Sequence, residues 1–473
     1  IHCVPVLTPV MVSGLSERAF GWLKQGADLQ ALTQEFDDLE VGPSDDFLKE
    51  LEVGLEKRFD LILYRSGSAS TASAAEQAEA STKLEPGSAI GALLTAGDVT
   101  IGAIGTLTYK EDDVILAFGH PFLFGGDAEF FLTDAKILDT VESLLVPFKL
   151  GVPGKSLGAF LEDRTQGIGG ALNIEPDSVE VELRVRNLDT NLSREFKIYI
   201  ADDNRFLATL LFISGLSAMD ETLNRIGPGT LKVDYTIRGD GLPEKLVRKD
   251  IFTSLTDIAV WGPLQVAQVV FTLLRNEFQD PELDEIDIDI DVKKEVRLAR
   301  VKELTADKET YKPGEPLNYT VTLKPYRGEE FSINGTLRVP DKIESNQLTL
   351  RAFGGPRRDG QDEKEAPEFK DLKELIKTIA STLSNDQLTI EISEFSGKPA
   401  GEGSDEEEVR DVQTLEDWVV TGEKSLEINI EKPQSPEEKK TEEQEEEKKQ
   451  EEKKEENKKE CKYPFYCPVR LQE

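Results

Sequence analysis

Histidine is almost missing: His2 and His120 are the only two in 473 residues, so imidazole proton transfer near neutral pH has two candidates. Cysteine is nearly as scarce, with Cys3, Cys461 and Cys467 alone. A tetrahedral zinc site usually takes four Cys or His ligands, and this inventory offers no such set, so no metal is expected. No run of about 18 apolar residues occurs, so no spanning helix is expected in this chain. Cations are also short, 56 Lys and Arg against 92 Asp and Glu, for a net charge of −36. That balance argues against a nucleic-acid partner, because a phosphate backbone rewards basic patches. No Gly-x-x-x-x-Gly-Lys-Ser/Thr sequence exists, and Gly102-x-x-Gly105 lacks the helix that phosphate binding requires, so neither a nucleotide nor another cofactor is expected.

The length suffices for two or three domains, each burying its own core. The chain opens on Ile1 rather than Met, the mark expected of a processed product or fragment, and no signal peptide is in view. Residues 1–84 read as an N-terminal segment: a strand over Val4–Val12, a helix from Ser16 as its N-cap, and a Ser/Ala linker over 66–82. Ala89–Leu94, Asp98–Tyr109 and Val114–Phe118 are short strands divided by glycines and by the turn Lys110-Glu111-Asp112-Asp113. Val179, Val181, Leu183 and Val185 alternate with polar residues, as do Phe196, Ile198 and Ile200, which predicts an antiparallel hairpin. Stretches 203–224 and 251–278 carry the helical patterns, with Pro263 opening a new helix. Ile286, Ile288, Ile290 and Val292 form a strand whose Asp-rich side is a solvated face; its alternating spacing is unlike a calcium loop.

A second module is expected over 299–431. Tyr311-Lys312-Pro313-Gly314-Glu315-Pro316 leads into Leu317, Tyr319, Val321 and Leu323, then Phe331, Ile333, Leu337 and Val339, the spacing of a β-sandwich. A helix around Leu372–Ile379 and strands at 387–393 and 425–430 complete it. Residues 432–473 form a charged tail without an apolar stripe, read as disordered, and Cys461 and Cys467 beside it could close a small disulfide loop. The fold class is mainly β with α insertions (α+β), the short glycine-separated strands favouring a barrel or sandwich.

His120 stands in Phe118-Gly119-His120-Pro121-Phe122, where glycine permits close approach and proline stiffens the exit; on spacing alone it reads either as a structural histidine or as a general base. The blocks Pro86–Gly91, Gly97-Asp98-Val99, Gly102–Tyr109, Ala117–Pro121, Ala135-Lys136-Ile137, Pro147-Phe148-Lys149 and Leu161–Gly170 follow one another in an order that resembles the SpoIVB-type serine peptidase domain. The likeness runs over roughly residues 85–240 of a peptidase-like domain placed at 85–298. It implies a trypsin-like β-barrel-type peptidase region followed by an Ig-like β-sandwich, extracytoplasmic, acting on a protein or peptide substrate, this chain itself included. His120 takes the general base's role, and Asp163, of Asp163-Arg164, is the first candidate for the orienting acid, with Asp127 and Asp134 behind it; Asp163 also reads as a structural residue salt-bridged to Arg164. The resemblance places the nucleophile in a Ser-Gly-Ser-Pro turn upstream of Ile1, so this chain alone is expected to be inactive and to need that N-terminal part of the same protein. The only Ser-Gly-Ser here, Ser66-Gly67-Ser68, lies in the linker and lacks the rigid turn a nucleophile needs. The alternative is a non-catalytic binding or scaffold protein of the cell envelope.

Overall fold

The computed structural model describes residues 8–29, 44–66, 84–142, 148–341, 343, 345–356, 369–394 and 409–431. His2, the three cysteines, Ser68, nearly all of the Ser/Ala linker and the charged tail lie outside the described residues. The fold is mainly β, as composition and alternation predict.

The first module opens with β1 (Thr8–Ser13), helices α1 (Glu17–Gln25), α2 (Asp45–Leu51) and α3 (Leu55–Phe59), and β2 (Leu61–Arg65). Six strands follow: β3 (Ala89–Gly97), β4 (Thr100–Glu111), β5 (Val114–Ala117), β6 (Gly126–Val141), β7 (Phe148–Arg164) and β8 (Gly167–Leu172). Strand β3 pairs on both edges, Ile90 facing Gly105 of β4 on one side and Asp134 of β6 on the other. The ladder therefore returns on itself in the order β3-β4-β5-β8-β7-β6, an antiparallel barrel without a free edge. Ile115, Phe130, Phe160 and Ile168 are wholly buried in its core.

The same sheet continues beyond the barrel in two directions. From β4 it passes to β1 and then β2, so the N-terminal segment is part of the first module's core and not a separate appendage. From β3 it passes to a wing ordered β10 (Leu192–Ala201), β9 (Ser178–Asn187), β13 (Leu283–Lys293), β11 (Gly229–Gly239) and β12 (Leu246–Ser254). Helices α4 (Leu207–Leu223) and α5 (Trp261–Leu274) cover the wing's apolar face, where Val181, Leu183, Ile198, Val233 and Ile288 point. Residues 251–254 belong to β12 and not to a helix: Ile251 and Phe252 pair with Lys232 and Leu231, and tertiary pairing overrides the local pattern there. The wing's opposite face carries the Asp ladder of β13 between cations of its neighbours, with Arg184 bound to Asp289 at 2.7 Å and Arg186 to Asp291.

Two further sheets form the second module, a sandwich with its own core beginning at Ala299. One joins β14 (Leu298–Ala306), β16 (Pro316–Pro325), β17 (Phe331–Arg338) and β21 (Val419–Thr421); the other joins β15 (Thr310–Tyr311), β18 (Gln347–Gly354), β19 (Gln387–Glu394), β20 (Arg410–Thr414) and β22 (Glu423–Ile430). Between β18 and β19 in the chain lies α6 (Leu372–Ser381). Its apolar residues Leu372, Leu375 and Ile376 join the first module's core, so this helix belongs to the sandwich by sequence and to the barrel module by packing.

Candidate functional site

The loop that joins β5 to β6 carries His120. It begins with a backbone that most residues avoid. Phe118 has φ +70° and Gly119 φ +77°, and the Gly119 N–H donates back to the Ala117 carbonyl at 2.8 Å. A bond from residue i+2 to residue i across a central positive φ is the rare, strained form of the γ-turn. A side chain held this way costs on the order of 1–3 kcal/mol, which the surroundings must offset. They do so through the Phe118 ring: it lies over Gly105, where a Cβ would come within 2.2 Å of it, and makes an edge contact with Phe160 at 6.4 Å. The Phe118 N–H is satisfied by the Thr106 carbonyl at 3.0 Å.

The turn lifts His120 into solvent, its ring 5.7 Å from that of Phe118. Nδ1 is 2.7 Å from the Pro121 carbonyl oxygen. A carbonyl can only accept, so Nδ1 donates in this bond, and a neutral ring held this way carries its lone pair on Nε2. The ring is thereby oriented by a main-chain group.

Asp163 is in the same place and does a different task from the one expected. It is fully buried, and its carboxylate accepts the backbone N–H groups of Phe122 at 2.8 Å, Leu123 at 2.6 Å and Gly125 at 3.4 Å. Its described hydrogen bonds go to these amides and none to the imidazole, so Asp163 positions the loop, whereas Pro121 orients the ring. Nor does it pair with Arg164, which points to the other side of β7 and binds Asp127, at 2.7 Å, and Glu162. Alternation along a strand separates neighbours in this way. Asp127 is thus an exposed ion-pair partner. Asp134 accepts the Lys155 N–H at 2.7 Å, and burial raises its pKa.

Ser66 is remote from His120. It follows β2 and bonds to Val12 of β1, which pairs with Ile101 at the start of β4. His120 follows β5, which pairs with β4 from Leu107 onward, and the Phe118 N–H bonds to Thr106. Five or six strand residues separate the two levels, about 20 Å along β4 alone. Ser66 instead lines a cleft of about 900 Å³ together with Ser16, Arg65, Asp98, Arg194 and Glu221. This cleft and the His120 imidazole are therefore different places. Charges in the cleft are already engaged: Arg194 binds Glu221 at 3.2 Å, Arg65 donates to the Leu15 carbonyl at 3.0 Å, and Asp98 accepts the Lys197 N–H at 2.7 Å.

Two features at the loop are not signalled by residue spacing. Arg205 packs against Gly125, where a Cβ would lie 2.4 Å from the guanidinium, and is itself held by both oxygens of Asp203 at 2.8 and 3.0 Å. Phe124 stands outward with φ +55° and is 67% exposed. Gly125-Gly126 is the one local signal of an unusual backbone here, since Gly126 has φ +83°. Among the described residues no group of three or more His, Cys, Asp or Glu side chains is arranged to hold a metal ion, and no helix is long and apolar enough to cross a membrane. No family model matches the chain, and no curated protein matches it.

Proposed function

We propose that this chain is the histidine-bearing part of a SpoIVB-type serine peptidase, with His120 as general base toward a serine nucleophile that the described residues do not include. The observation that carries the reading is the Nδ1 bond to Pro121 on a strained turn, because it leaves Nε2 free to take a hydroxyl proton. The closed six-stranded antiparallel barrel supports it, being the architecture from which the trypsin-like, double-barrel group is built. Asp163 enters this mechanism as a positioning residue, keeping loop amides fixed so that the imidazole's place is set before substrate arrives. The sandwich fits the Ig-like accessory module that accompanies this domain, the substrate class is a protein or peptide chain, and the setting is extracytoplasmic.

A second reading has its own support: among the described residues no hydroxyl is hydrogen-bonded to His120, which suits a fold that keeps its shape for binding at the cell envelope without chemistry. One experiment separates the two. The protein, isolated as its native cell makes it, is treated with an active-site fluorophosphonate alongside its His120→Ala variant. Labelling of a serine that is lost in the variant is expected. Labelling that persists undiminished removes His120 from the mechanism, and a wild-type protein that takes no label leaves the binding reading.

A further inference from the structure

Phe124 is an outward-facing aromatic on a loop that cannot be called loose. Its backbone is left-handed, a region where Asn, Asp and Gly are at ease and a bulky residue is strained. Its neighbours on both sides are pinned: Leu123 and Gly125 donate to the buried Asp163, and Gly125 also lies under Arg205. Leu123 and Phe122 turn inward and are buried, Phe122 meeting Phe130 at 5.4 Å, so the loop spends its apolar residues on the core except for this one. Neither local conformation nor packing explains a phenylalanine at this position. A polar residue would relieve the backbone strain and remove apolar surface from water. What phenylalanine offers is a rigid apolar anchor with two rotatable bonds, the type of side chain that dominates recognition surfaces.

The anchor and the imidazole are four residues apart on one fixed loop, within about 14 Å of each other even if the chain between them were fully extended. We infer that Phe124 is a specificity-determining residue: it receives an apolar side chain of a peptide laid across the 118–126 loop, beside the bond presented to His120. The inference rests on the peptidase reading for naming a peptide as the ligand. Its geometry is that of an exposed anchor held by Asp163 from beneath, so the contact forms without ordering the loop and loses little entropy.

The test uses the full chain and a pair of short fluorescein-labelled peptides that differ only in a central Leu or Ser, with binding followed by fluorescence anisotropy. Wild type is expected to favour the Leu peptide by about tenfold, the discrimination that partial burial of one leucine supplies. Phe124→Asn is the decisive variant, because asparagine suits the left-handed backbone: it is expected to unfold at the same temperature as wild type or higher, and to lose the preference for Leu. A variant that melts lower shows Phe124 to be structural and overturns the inference. So does an unchanged preference, and so does a wild type that binds neither peptide or both alike. Because binding needs no nucleophile, a Leu preference without fluorophosphonate labelling would sink the peptidase reading and keep the recognition site, and labelling without the preference would do the reverse.

Discussion

Arg248 and Asp250, two residues apart on β12, form an ion pair at 2.7 Å with side chains only 5% and 2% exposed. Each also serves the segment that follows α6. The Arg248 guanidinium donates to the carbonyls of Ile379 at 2.8 Å, Thr382 at 3.0 Å and Leu383 at 3.3 Å, taking up the acceptors that a helix C-terminus leaves without partners. Asp250 accepts both the backbone and side-chain N–H of Asn385 at 2.9 Å. The pair is a clamp between the modules.

Removing one half of the clamp should cost far more than removing an exposed pair. Arg248→Met leaves Asp250 buried beside Asn385 without its countercharge and the α6 carbonyls without a donor, so a loss of about 3–5 kcal/mol is expected. Replacing both, Arg248→Met with Asp250→Leu, should recover part of it. Urea unfolding of the three proteins measures the difference, and a single variant as stable as wild type would show that the clamp is idle.

Asp163→Ala should release the histidine loop while the barrel stays folded. Three backbone N–H groups lose a charged acceptor, two of them at 2.8 Å or closer, and the cost is about 3 kcal/mol if water cannot reach them. Hydrogen exchange at Phe122 and Leu123 should accelerate, while amides of β3 and β6 keep their protection. Uniform acceleration through the barrel would mean that Asp163 supports the whole fold and not the loop.

Asp202 titrates far above an ordinary aspartate. Burial, then the nearby charges of Asp280, Asp177, Asp203 and Asp284, raise its pKa to about 6. The folded chain therefore holds this proton more tightly than the unfolded chain does. The resulting stability is complete below about pH 4 and is lost as pH rises through about 6. Asp202→Asn, which stays neutral, should melt higher than wild type at neutral pH and lose that advantage toward pH 4. Melting scans across that range would refute the assignment if the two proteins stayed parallel.

Local pattern made much of this architecture legible. The alternation of Val179 to Val185 with Phe196 to Ile200 names the β9–β10 hairpin, whose register runs from Leu192 opposite Asn187 to Ala201 opposite Ser178. Ser16 caps α1 as its position suggests, accepting the Ala19 N–H at 3.1 Å. What stayed hidden is long-range. Nothing in the period of Ile90 or Asp134 says that their strands meet and close a barrel, because period encodes which face is buried and not which strand is the neighbour. Helix α6 is similar: its apolar stripe predicts a helix but not whose core receives it. At the histidine loop the motif names His120 and Asp163, which the fold brings to one loop, but not the bond that holds the ring, which runs to the Pro121 carbonyl. A bond from a side chain to the next residue's carbonyl leaves no trace in residue spacing, whereas an acid beside an arginine invites a pairing that strand alternation forbids.

Helix α6 also bears on how the two modules are joined. Its apolar face lies in the first module's core, and the segment that follows it is held by Arg248 and Asp250 of β12. Lys232 of β11 pairs in addition with Asp417, which precedes β21, so the sandwich is attached to the long sheet by contacts far from the connecting chain and not by that chain alone.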